Sequence, residues 1–179
     1  LGEYTMAVNT ERLFKLLNSR GVSGDESEIR AAITEIVRPL CDDITVDTMG
    51  NLFAHKKGSG KSNVRAMVCA HMDEVGLIVS WFRDDGLLEY DTVGGIDPRV
   101  LVSKRVKIGK NNVPGVIGAK AIHLQSEAEY HSVLGHDRLH IDVGASSAEE
   151  AKKLVKLGDY VVFDTEPELF GDDCVCSKA

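Results

Sequence analysis

The sequence predicts an α/β domain interrupted by an inserted, all-β domain, a small barrel or sandwich. Three observations predict it: two helical segments and a hairpin open the chain, an apolar run at 64–70 follows, and from position 74 the pattern changes to short strands separated by turn signals. This reading assigns 1–73 and 171–179 to the α/β domain and 74–170 to the inserted domain.

The first helix runs from Thr10 to Asn18, with Leu13, Phe14, Leu16 and Leu17 on its apolar side. The second opens at Ser23 and Glu26, whose spacing matches a capping box in which each side chain satisfies a free backbone N–H of the first turn. Ile29, Ile33, Ile36, Val37 and Leu40 then follow helical spacing until Pro39 ends the pattern. Alternating runs at 44–47 and 52–56, joined by Thr48-Met49-Gly50-Asn51, read as a β-hairpin. After a polar turn at 58–63, the run 64–70 is apolar enough for a strand buried on both faces.

Beyond Asp73, strands are expected at 75–82, 87–92, 100–108 and 113–117. Asp84-Asp85-Gly86, Gly94-Gly95 and Asn111-Asn112 supply the turns between them. Strands at 139–143 and 160–164 follow, with a helix capped by Ser147 and Glu150 between them and reaching about Lys156. The last residues, 173–179, return to the first domain as a strand, with Asp172-Asp173 as the turn before it.

Composition narrows the function classes. Of 179 residues, 43% are hydrophobic and 27% charged, as in an ordinary globular protein. No apolar run is long enough for a membrane-spanning helix, and no basic segment followed by an apolar core marks a secretory signal. Residues 1–5 read as a natural leader or a remnant ahead of Met6. The net charge of −7, from 28 acidic and 21 basic residues, argues against nucleic acid as a partner, which needs a dense positive face. Cys41, Cys69, Cys174 and Cys176 lack metal-knuckle or redox spacing and read as buried, reduced thiols with a cytoplasmic address.

Gly58-Ser59-Gly60-Lys61-Ser62 ends like a phosphate-binding loop. His55 stands where that motif needs glycine, however, and a strand rather than a helix is expected after it, so the amides that would cradle phosphate are missing. Ala70-His71-Met72-Asp73-Glu74 is more informative. It falls where a buried strand ends, the edge at which α/β sheets bind ligands. An imidazole there can ligate a divalent metal through one nitrogen, while a carboxylate two residues on holds the other N–H. The same spacing also fits a purely structural hydrogen-bonded pair.

Ala70-His71-Met72-Asp73-Glu74-Val75-Gly76 resembles the first metal motif of the tetrahedral-aminopeptidase family, whose members are often labelled cellulase or endoglucanase. Val22-Ser23-Gly24-Asp25-Glu26 resembles an earlier segment of that family, with Val22 in place of its proline, and Asp47-Thr48-Met49-Gly50-Asn51-Leu52 resembles its hairpin. Gly94-Gly95-Ile96-Asp97-Pro98-Arg99-Val100-Leu101, Gly115-Val116-Ile117-Gly118 with His123-Leu124, and Ile141-Asp142-Val143-Gly144-Ala145-Ser146-Ser147 resemble later ones in the same order. The resemblance implies the N-terminal portion of a three-layer, zinc-peptidase-like α/β catalytic domain with an inserted β-barrel used for dimerisation. It implies two divalent metal ions, zinc or cobalt, peptide substrates cut at the N-terminus, and homo-oligomers up to a hollow dodecamer. His71 is then a metal ligand and Asp73 the catalytic residue that orients it.

In that family, Ser177-Lys178-Ala179 leads into an aspartate that bridges the metals, followed by paired glutamates, another aspartate and a histidine; none of these lies within this sequence. The expectation is therefore a fragment that binds zinc weakly and lacks activity by itself. Two other readings remain: a non-catalytic barrel module for assembly, and a glycoside hydrolase, as some family labels suggest. The latter requires two opposed carboxylates, and no such pair stands out. His131, His136 and His140 are the only other histidine cluster, read as an independent zinc site or, more simply, as solvated loop histidines. Glu74 and His123 carry no role that the chemistry dictates.

Overall fold

The structure, a computed structural model, describes residues 8–60, 63–171 and 174–178. The readings of residues 1–5, of Lys61-Ser62 and of the Asp172-Asp173 turn lie outside them. The chain divides into two compact units, Leu1–Asp73 with Glu166–Ser177 and Glu74–Thr165 with Lys178–Ala179.

The first unit opens with α1 (Thr10–Asn18), where the Asn9 side chain accepts the Arg12 N–H at 2.8 Å, and continues with α2 (Ser27–Val37). Lys15 of α1 bridges to Glu35 of α2 at 2.6 Å. Pro39 sits in a single 3-10 turn, Arg38–Leu40, that closes α2. β1 (Asp43–Val46) and β2 (Leu52–His55) form the expected antiparallel hairpin with Val46 opposite Leu52. Its tight turn is held by the Asp47 carboxylate, which accepts the Met49 and Asn51 N–H groups at 2.9 and 2.8 Å.

Three expectations for this unit need correction. The second helix does not start at Ser23: its N-cap is Glu26, which makes no side-chain cap bond. The Glu26 carboxylate instead accepts the Gly24 N–H at 2.6 Å, and the Ser23 hydroxyl is engaged elsewhere. Residues 64–70 do not form a doubly buried strand. They join none of the described ladders, and Val64, Met67 and Val68 are 83%, 83% and 96% exposed. Apolar composition supplies the tendency to extend, but a buried strand needs neighbours on both edges, and the two-stranded sheets described here do not provide them. The cysteines are free but not buried: Cys69, Cys174 and Cys176 are exposed and Cys41 is half-buried.

β9 (Glu168–Phe170), in a stretch that the sequence reading gave to the inserted domain, pairs antiparallel with β10 (Cys174–Cys176), so both lie in the first unit. Among the described residues of this unit, the buried apolar side chains are Val22, Ile29 and Ala32.

The second unit is a closed, antiparallel six-stranded barrel. Its strands are β3 (Gly76–Phe82), β4 (Leu88–Val93), β5 (Arg105–Ile108), β6 (Val113–Ala119), β7 (Leu139–Asp142) and β8 (Tyr160–Phe163), in the order β3-β4-β7-β6-β5-β8 with β8 closing on β3. Alternation produces the interior: Val106 and Ile108 point inward from β5, Gly115 and Ile117 from β6, Leu139 and Ile141 from β7. Leu77, Leu88, Leu101, Ile108, Ile117 and Ile141 are all 0% exposed, and each such burial contributes roughly 1.5–3 kcal/mol. The strand expected over 100–108 starts only at Arg105. Before it, Asp97 accepts the Arg99 N–H and starts the 3-10 turn Pro98–Val100, and Ser103 takes a positive φ of 64° that breaks extension. β7 is preceded by a short capped helix, α3 (Glu127–Tyr130). Between β7 and β8, α4 (Ala148–Leu154) is capped by Ser147 and packs Ala148 and Ala151 inward against β3.

Candidate functional site

The site is built from two short segments of the first unit, 50 residues apart in sequence. The backbone of one runs past the other because Gly21 has no side chain: a Cβ there would stand 2.7 Å from Ile29 Cγ2 and 3.3 Å from the Met72 carbonyl oxygen. Ser23, two residues on, donates its hydroxyl to Oδ2 of Asp73. Oδ1 of Asp73 and its backbone carbonyl lie 3.1 and 3.0 Å from Nδ1 of His71.

Those distances decide the state of the ring. A carbonyl oxygen only accepts, and so does an ionised carboxylate, so Nδ1 carries the proton. In the neutral imidazole Nε2 then bears the free lone pair. The His71 side chain is 86% exposed and the Asp73 side chain 38%, so the lone pair is accessible and the carboxylate is partly sheltered. Asp73 is held below the usual carboxylate range, first by the Ser23 hydroxyl and then, against the opposing effect of burial, by its own backbone N–H and by His71. It stays ionised, which is the form that can accept the His71 proton.

His71 and Asp73 are therefore brought together as the sequence suggested, with a geometry that suits a divalent-metal ligand and its orienting carboxylate. Ser23 is the participant that sequence reasoning missed. Its position three residues before a glutamate gave it a cap role, although the Ser-Gly-x-Glu segment itself was the available signal. Among the described residues, no group of three or more His, Cys, Asp or Glu side chains could hold a metal ion, whereas a catalytic zinc takes about three protein ligands. His71 fits one ligand position of such a centre.

The remaining candidates disperse. His140 Nε2 accepts from the Arg83 guanidinium at 3.3 Å, and burial, then Arg83, pushes its pKa down. Nε2 of His136 donates to the Ile96 carbonyl at 3.0 Å, and its Nδ1 accepts from the Tyr90 hydroxyl at 3.4 Å. His131 stacks edge-on against Tyr130. The three histidines have separate partners and, among the described residues, do not come together as a group of ligands. Asp85 holds a turn by accepting from Arg83 and from the Leu87 N–H, and His123 lies in the 3-10 turn Ile122–Leu124. Glu74 pairs with Lys178 at 2.7 Å. The described residues 63–73 after the Gly58–Ser62 segment form neither the helix of a phosphate loop nor the expected strand. Among the described residues, no helix is long and apolar enough to cross a membrane.

Comparison with known proteins agrees with the family resemblance. The chain is 36% identical to the lysyl aminopeptidase of Pyrococcus furiosus over 82% of this chain and 43% of that one. An aminopeptidase from Desulfurococcus kamchatkensis superposes with a TM-score of 0.85 at 35% identity, covering 94% of this chain and 46% of the other. A Pyrococcus horikoshii TET1 peptidase, described as assembling into a tetrahedron or a large octahedral shell, gives 0.76 at 38% identity, covering 89% of this chain and 47% of its own. A Thermotoga maritima protein named as an endoglucanase gives 0.74 at 40% identity, over 88% of this chain and 46% of its own. The chain spans about half the length of the curated relatives it matches. The M42 glutamyl aminopeptidase family matches residues 50–179, from the hairpin turn through the His71-Met72-Asp73 motif and the whole barrel, and the chain belongs to that family.

Proposed function

We propose that this chain contributes His71 as a metal ligand, and Asp73 as its orienting carboxylate, to a metal-dependent aminopeptidase site that removes residues from the N-termini of peptides. The observation that carries the proposal is the pair of acceptor oxygens of Asp73 at 3.0 and 3.1 Å from His71 Nδ1, which leave Nε2 as an exposed lone pair. Family membership supports the same reading. The rest of the ligand set is supplied from outside the described residues, on an α/β domain of three layers to which the first unit contributes.

The chemistry assigned to this chain is modest and definite. A pair of bound divalent ions, zinc or cobalt, supplies Lewis-acid polarisation of the scissile carbonyl and a nucleophile at neutral pH. His71 holds its ring with Nε2 outward. Asp73 retains the Nδ1 proton so that the ring stays in the ligating tautomer, and its ionised state raises the basicity of Nε2.

Metal titration tests the reading. The 179-residue chain should bind zinc or cobalt weakly, lose that binding on His71→Ala, and release no nitroaniline from an aminoacyl-nitroanilide. The protein translated from the whole reading frame should hydrolyse that substrate with cobalt and lose the activity on the same substitution. Binding by the chain that is indifferent to His71→Ala would remove the metal role.

The barrel supports a second proposed role, in homo-oligomer assembly. Trp81 on β3 is 60% exposed, apolar surface that pairing of barrels would cover. Light scattering on the purified chain tests this, with a dimer expected. A glycoside-hydrolase reading gains nothing from the site, where Asp73 is committed to Ser23 and His71. Free thiols at all four cysteines accord with the cytoplasm as the proposed location.

A further inference from the structure

We propose that Ser23 is a positioning residue for the metal-ligating histidine, acting through Asp73 in a Ser23–Asp73–His71 relay. The proposal rests on the reading of His71 as a metal ligand and adds the residue that sets its orientation.

Asp73 is only partly covered, and a carboxylate so exposed turns readily about its two side-chain torsions. A single partner at Oδ1 would leave it free to swing, or to offer either oxygen to solvent. The structure engages both oxygens from opposite sides: Ser23 donates to Oδ2, and Oδ1 faces His71 Nδ1 at 3.1 Å. A carboxylate held at both oxygens has its plane fixed, and the ring that donates to it inherits that plane.

Ser23 can impose an orientation because its own loop is stiff. Val22 is 1% exposed and anchors one side. Gly24 adopts φ +95°, a conformation that favours glycine, and its N–H is held by Glu26 at 2.6 Å. The Asp25 N–H bonds the Val22 carbonyl at 2.7 Å, and the Asp25 carboxylate meets the largely buried Arg20 at 3.5 Å. Arg20 in turn accepts the Ile29 N–H at 3.0 Å through its carbonyl, tying the loop to α2. Gly21 brings this loop against the Met72 carbonyl, so the anchored segment and the metal motif meet at backbone distance.

A second observation bears on what the hydroxyl is for. The spacing of Ser23 and Glu26 suits a capping box, and a side-chain cap stabilises a helix. Yet α2 begins with no side-chain cap bond, and the serine hydroxyl goes to Asp73. The local gain is forgone for a contact across 50 residues to the side chain beside the candidate ligand. The Ser23 hydroxyl makes a single bond at a part-exposed site, so its removal leaves the fold in place and exposes any effect on the metal site.

The test compares the chain with Ser23→Ala, Ser23→Thr and His71→Ala at fixed pH. Zinc and cobalt affinity is read by titration, the His71 tautomer in the metal-free chain by long-range nitrogen–proton NMR, and the fold by thermal unfolding. Loss of the relay is expected to weaken metal binding by about 10-fold or more in Ser23→Ala and to mix the His71 tautomers, with little change in thermal stability. Ser23→Thr, which keeps the hydroxyl, restores both. A Ser23→Ala chain with wild-type affinity and a single tautomer overturns the relay; if His71→Ala still loses metal, the metal reading stands without it. Should His71→Ala leave metal binding unchanged, the ligand reading fails and the relay fails with it. Where wild-type affinity is too weak to titrate, the metal-free tautomer decides, and an unmixed tautomer in Ser23→Ala rejects the proposal.

Discussion

Lys178 donates to Oε1 of Glu74 at 2.7 Å, joining residues 104 positions apart, with side chains only 5% and 13% exposed. Both belong to the barrel unit, Glu74 as its first residue and Lys178 after the chain has passed through β9 and β10. A pair this deeply covered is costly to form. Removing the lysine is far more costly, because it takes the cation away from the covered Glu74 carboxylate.

Lys178→Met should therefore destabilise by about 3–5 kcal/mol by leaving Glu74 without its cation, and adding Glu74→Gln should recover a large part of that loss. Urea unfolding of the four proteins measures the coupling. Additive single effects would show that the two charges do not depend on one another.

Leu88 of β4 and Ile141 of β7 face each other across the ladder, and both are 0% exposed. Truncating either to alanine should cost about 2–5 kcal/mol through lost burial and the cavity left behind. Because they share that space, the double mutant should depart from additivity by roughly 0.5–3 kcal/mol. Denaturant midpoints at unchanged slope would report it.

Gly86 sits at φ +87° in the β3–β4 turn, and a Cβ there would stand 2.3 Å from the Ala145 carbonyl oxygen. Gly86→Ala combines left-handed strain of about 1–2 kcal/mol with that backbone clash. Thermal unfolding should show a loss larger than the strain alone, and a neutral effect would mean that the 145–147 loop moves freely aside.

Glu129 closes a capping box with Ser126 at the start of α3 and also bonds Lys120. The Ser126 N–H, then Lys120 and the Ser126 hydroxyl, hold its pKa down from 4.5 to about 2. The folded value lies below the unfolded one, so its contribution is fully present above pH 4.5 and fades as pH falls towards 2. The Ser126 amide resonance should titrate with a midpoint near 2; a midpoint near 4.5 would show that the box is open in solution.

Much of the fold was legible because it depends on local periodicity. The Asp47–Asn51 turn set the β1–β2 hairpin, and closely spaced short strands separated by turn signals marked a barrel or a sandwich, which the structure resolves as a closed barrel. The barrel's strand order was not legible: β7 lies between β4 and β6, and β8 between β5 and β3, pairings that long-range closure selects. Residues 64–70 misled for a related reason, since apolar content reports a capacity for burial but not the neighbours that would provide it.

The sequence by itself determined two things about this protein: an inserted β-rich unit, through the change in period near Glu74, and a histidine–carboxylate pair at His71 and Asp73. Tertiary structure alone decided which partner each polar side chain takes. Ser23 satisfies a cap by spacing but bonds Asp73 in space, and His131, His136 and His140 are near in sequence but go to Tyr130, Tyr90 with Ile96, and Arg83. A hydroxyl or imidazole makes its bonds within about 3 Å, and which groups come that close is set by how distant segments pack, a relation that no local pattern encodes.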